Sequence, residues 1–66
     1  MAAAKDEHYD VVSVLYHALQ GSNTCRTYLD DAEESGDKKL AQFFAEVQNH
    51  YEQVAKQAKE LLRQKL

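Results

Sequence analysis

The chain has 66 residues, 44 % of them apolar, and eleven Asp and Glu against eight Lys and Arg give a net charge of −3. That length allows one domain at most, and a fold this small buries only about 60 % of its unfolded surface, so it often needs outside support. The acidic balance argues against nucleic acid, which calls for a basic face, and the single cysteine, Cys25, excludes an internal disulfide.

The first predicted element is a helix over residues 8–35, preceded by a flexible tail at 1–7 within a single 1–66 domain. Asp6 or Asp10 stands near its start. Val11, Leu15, Ala18, Ser22, Cys25, Leu29 and Ala32 follow at alternating steps of 4 and 3, the spacing of a helical packing stripe. Val12, Val14, Leu19 and Tyr28 add more apolar surface than one stripe needs, with Leu19 assigned to the core or dimer seam. Tyr9 and Tyr16 belong to the same excess. His8 and His17 are nine residues apart and read as surface or interface residues rather than a ligand pair.

"ESGD" is the one strong break. Gly36 suits the C′ position of the first helix and Asp37 the N-cap of the next. A second helix is expected over 38–65. Leu40, Phe44, Val47, Tyr51, Val54, Ala58 and Leu61 step by 4 and 3 without interruption, and Phe43, His50 and Leu62 widen the stripe. Lys56, Lys59, Arg63 and Lys65 gather near the C-terminus, where cations suit the helix dipole.

Two helices of about 40 Å joined by a short turn form an antiparallel hairpin, an all-α fold. Two helices alone cannot enclose a core, so the expected remedy is a homodimer, or a higher homo-oligomer, closing a four-helix bundle. The acidic turn end (Asp30, Asp31, Glu33, Glu34, Asp37) and the basic end of the second helix suggest turns at opposite ends of the dimer. A solvated surface with no pairing role is the alternative.

Folding the hairpin at residue 36 sets residues 22–26 level with 47–51. Ser22, Asn23, His50 and Tyr51 then form a polar layer at mid-bundle, with Ser22 or Asn23 a neighbour for the Tyr51 hydroxyl. Cys25 reads as a small buried residue, with a redox role as the alternative.

"TYLDDAEESGDKKLAQFFAEV" followed by "AKQAKELL" resembles the ferritin-like superfamily, in particular the rubrerythrin and encapsulated-ferritin hairpins, over roughly residues 11–62. The resemblance implies a ferritin-like bundle. It also implies a di-iron centre held by a Glu on the first helix and a Glu-x-x-His on the second. Those positions fall on Asn23, Tyr51 and Val54, and neither His50-x-x-Gln53 nor Glu52-x-x-Ala55 restores the motif. The resemblance therefore implies the scaffold without the iron chemistry.

Glu46 and His50, at i and i+4, could reach one iron or zinc ion if a dimer doubled them. In the bland reading Glu46 is exposed and His50 hydrogen-bonded. No phosphate-cradling glycine loop, nucleophile elbow or Ser-His-Asp spacing is present, so no enzyme is expected. The leading expectation is a non-enzymatic homodimeric module without a cofactor. A metal-binding protein using Glu46 and His50 is the second reading, and an adaptor docking on a larger protein the third. With a lone thiol, no apolar run near 18 residues and no signal-peptide core at Met1–Lys5, a soluble cytoplasmic protein without a membrane partner is expected.

Overall fold

The structure, a computed structural model, describes residues 6–65, with Lys65 by its backbone alone. Helix α1 spans Glu7–Ser35 and α2 spans Lys38–Lys65. The first helix starts one residue before the expected boundary. Asp6 caps it by accepting the Tyr9 amide at 2.9 Å, and Glu7 and Asp10 place carboxylates in the first turn, where the helix dipole favours them. Of the tail expected at 1–7, Glu7 is helical and Asp6 is the cap; residues 1–5 lie outside the described residues.

The connection is as short as a helical hairpin permits. Gly36 takes φ 80°, ψ 14°, a left-handed conformation costly to any residue with a Cβ. Its amide donates to the Glu33 carbonyl (3.1 Å) and the Asp37 amide to the Ala32 carbonyl (3.0 Å), which satisfies two of the free carbonyls ending α1. Asp37 then opens α2, its carboxylate accepting the Leu40 amide at 3.0 Å. One residue stops a helix and the next starts another.

The helices run antiparallel and pack along their whole length. Ser22 meets Glu52, Gly21 meets Tyr51 and Tyr28 meets Phe44. From α1 the contact row is the expected one: Ala18, Ser22, Cys25 and Ala32 are buried, and Val11, Leu15 and Leu29 half-buried. From α2 the row matches the expected stripe in part, at Phe44, Val47 and Ala58. Ala55 and Ala58 are buried, with Ala41, Phe44, Val47, Gln48 and Leu62 half-buried. Leu40, Tyr51, Val54 and Leu61, expected in the core or dimer seam, are between 38 % and 46 % exposed in the single hairpin.

The cause is size. A row of Ala, Ser and Cys on α1 fits closest against small residues, so α2 is rolled to present Ala41, Ala55 and Ala58. Leu40, Tyr51, Val54 and Leu61 are thereby carried to one side, while Phe44 and Val47 stay half-buried. The core is thin as a result: among the described residues no large side chain is fully buried. Burying a Leu, Val or Phe completely is worth about 1.5–3 kcal/mol, and the hairpin collects little of it. The molecule is a slab of 48 × 24 × 13 Å, one helix thick.

Candidate functional site

The slab has two broad faces of different character. On α1, Val14, Gly21, Tyr28 and Ser35 recur every seven residues, which keeps them on one side of the helix. On α2, Leu40, Val47, Val54 and Leu61 do the same, flanked by Phe44, Tyr51 and Ala58. Three shallow grooves show that these rows share one face. One lies among Val14, Val54, Ala58 and Leu61 near the open end. The second, at mid-length, is lined by His17, Gly21, Cys25, Tyr28 and Tyr51. The third, near the turn, is lined by Tyr28, Ser35, Leu40 and Phe44.

Phe43 belongs to this face as well. It stands eighteen residues, or five turns, from Leu61 and packs against Phe44 at 5.6 Å between ring centres. Seven of the eleven exposed large apolar side chains among the described residues therefore sit here: Val14, Tyr28, Leu40, Phe43, Tyr51, Val54 and Leu61. The opposite face has Val12 and Leu19 beside the Ser22–Glu52 pair. Leu19, expected in the seam, is 44 % exposed there. It stands one residue beyond the buried Ala18, and about 100° of helical rotation turns it away from α2. Tyr9 and Tyr16 are exposed, Tyr16 resting edge-on against His17 at 5.4 Å.

The residues of the expected polar layer are dispersed. Ser22 is buried and donates to Glu52 at 3.4 Å across the helices. Tyr51 instead rests its ring tip over Gly21. Asn23 and His50 are exposed. Glu46 is also exposed and accepts from the Gln42 side-chain amide at 3.4 Å. Glu46 and His50 share one edge of α2, which supplies two ligands per chain where structural zinc takes four. Among the described residues, no three His, Cys, Asp or Glu come together as a metal-holding group.

A di-iron centre does not fit the positions that the ferritin-like resemblance assigns to its ligands. Asn23 faces solvent, Tyr51 packs on Gly21, and Val54 lines an apolar groove. Two iron ions need anionic oxygens to offset their charge, and these side chains offer an amide, a phenol and a hydrocarbon.

Charge is balanced at one end of the slab only. Lys56, Lys59 and Arg63 of α2 lie at the open end with Asp6, Glu7 and Asp10 of α1, and Arg63 contacts Glu60 at 3.3 Å in an exposed pair of little energetic weight. The turn end keeps five acids, Asp30, Asp31, Glu33, Glu34 and Asp37, against two lysines, Lys38 and Lys39. The basic end expected to attract a partner's acidic end thus already has acids of its own chain beside it. Among the described residues, no helix is long and apolar enough to cross a membrane.

Compared with family models, curated proteins and solved structures, the chain matches none.

Proposed function

We propose that this chain is a non-enzymatic interaction module: a ferritin-like helical hairpin without di-iron ligands that completes its core by associating with a second copy. One observation carries the reading. Four residues of the most regular apolar stripe in the sequence, Leu40, Tyr51, Val54 and Leu61 of α2, lie open on a broad face, while among the described residues the core between the helices holds only Ala, Ser and Cys as buried side chains. A face of this kind is where a protein associates. The ferritin-like part rests on the turn sequence and on two long antiparallel helices of 29 and 28 residues.

The test is sedimentation equilibrium at micromolar concentration. A species of twice the 7.5 kDa chain mass is expected. A well-folded monomer throughout that range would reject the reading.

A further inference from the structure

We infer that two hairpins meet through the face bearing Val14, Tyr28, Tyr51 and Val54, with their turns at opposite ends and the two-fold axis passing beside Gly21 and Tyr51. This rests on the self-association proposed above and adds its surface and its geometry.

Three observations choose a second copy as the occupant and fix its orientation. The first is area. A face of 48 × 24 Å exceeds the roughly 800 Å² per partner that a stable interface of standard size buries. Apolar residues run its whole length, from Leu61 and Val14 at the open end through Tyr51 to Phe43 and Leu40 at the turn. An occupant must be about as long as the hairpin itself, and a second hairpin is. A short peptide would leave one end wet.

The second is charge. Turns at the same end would bring together two clusters of five acids and two lysines, and like charges across an interface oppose pairing. Turns at opposite ends hold those clusters apart by the 48 Å length of the slab. Each cluster then lies beside an open end where acids and bases are mixed.

The third is register. Gly21 is the middle residue of α1 (Glu7–Ser35), and Tyr51 stands at the middle of α2 (Lys38–Lys65). The two touch. An antiparallel pair overlaps along its full length only if the axis passes at that level. His17 of one copy then lies level with Cys25 of the other, and Val14 with Tyr28. The mid-length groove of one hairpin faces that of its mate, so the two Tyr51 rings, each seated on its own Gly21, lie beside the axis. The opposite face, carrying Val12 and Leu19 with the Ser22–Glu52 pair, stays in water.

The experiment places one nitroxide label at the turn, on Glu34→Cys in a Cys25→Ser background, and measures the interspin distance in the associated protein. Glu34 lies thirteen residues from the axis at Gly21, so turns at opposite ends predict a distance of about 40 Å; one below the 24 Å width means turns together and overturns the orientation. In parallel, Val54→Asp and Leu19→Asp are compared for dimer Kd. Val54→Asp is expected to raise Kd by roughly tenfold or more, since symmetry buries the charge twice, and Leu19→Asp to leave it within about threefold. Equal weakening by both, or weakening by Leu19→Asp alone, overturns the face. If Val54→Asp does not fold, judged by its far-ultraviolet circular dichroism, the label distance and the Leu19→Asp result still decide. A monomer at every concentration, with or without a different protein bound, defeats the self-association reading itself. A dimer with the wrong distance or the wrong face defeats only this inference.

Discussion

The ring tip of Tyr51 occupies the space into which a Cβ on Gly21 would project: three ring carbons lie 2.7 to 2.9 Å from that point. A glycine in mid-helix is about 1 kcal/mol worse than alanine, yet here it gives an aromatic ring its seat. Gly21→Ala is therefore expected to lose its usual helix-propensity gain, because the ring must swing off α1. In a Tyr51→Ala background nothing blocks the Cβ, and the same substitution should stabilise by about 1 kcal/mol. Urea unfolding of the four variants at one fixed concentration measures the coupling, expected at about 1 kcal/mol or more. Equal effects in both backgrounds would show that the contact carries no weight.

Ser22 tests what sets the approach of the helices. Its hydroxyl reaches Glu52 over a long 3.4 Å, and Glu52 is otherwise exposed. Such a bond contributes little, whereas smallness at this buried position lets α2 come close. Ser22→Ala is expected within about 0.5 kcal/mol of the parent, since alanine is small and the better helix former. Ser22→Leu should cost about 1–3 kcal/mol through overpacking. A large loss on Ser22→Ala, read by thermal unfolding, would assign the weight to the hydrogen bond instead.

The turn offers a cleaner case. Gly36→Ala places a Cβ at φ 80° with nothing within 4 Å to clash, so the penalty is backbone conformation alone, about 1–2 kcal/mol. Asp37→Ala removes the acceptor of the Leu40 amide and should cost about 1 kcal/mol. Chemical denaturation of each variant supplies the values. Asp37→Asn, which keeps an acceptor oxygen, should recover most of the second loss.

How far the fold could be read in advance depended on whether a signal was local. The break at Gly36 and Asp37, both helix boundaries to within a residue, and the contact row of α1 follow from capping chemistry and periodicity. The role of Gly21 did not, because it depends on a ring thirty residues away. Periodicity also located the apolar side of α2 without saying what covers it. Leu40, Val54 and Leu61 belong to the same stripe as Ala58, but the small side chains at 18, 22, 25 and 32 draw Ala58 and its neighbour in space Ala55 inward and leave the three larger residues exposed. The residues expected in a mid-bundle layer are dispersed within the single hairpin for a related reason. Level positions on two helices share a layer only if they also share a face, and Asn23 and His50 point elsewhere than Ser22 and Tyr51.

Glu46 and His50 yield a prediction about metal. They stand on an exposed edge, and Glu46 is engaged by Gln42. Two exposed ligands hold an ion weakly against water. Protein purified without chelator is expected to carry no stoichiometric iron or zinc by elemental analysis, and His50→Ala to leave metal content unchanged. Whole-number metal lost in that variant would establish a site on this edge.

The thin core makes stability depend on concentration. If the apolar face is covered only in the associated state, unfolding is linked to dissociation, and mass action raises Tm as the chain becomes more concentrated. A tenfold rise is worth about 1.4 kcal/mol per dimer. With unfolding entropy near 2.1 cal/mol/K per residue over two chains, that shifts Tm by about 5 °C. Circular dichroism melts from about 5 to 500 µM should therefore climb by roughly 10 °C. Val54→Asp should abolish the climb by lowering Tm most at the concentrated end, where the parent is fully associated. A flat profile in the parent would mean that the Ala, Ser and Cys core between the helices suffices alone, and that the open face of α2 is not what holds this protein together.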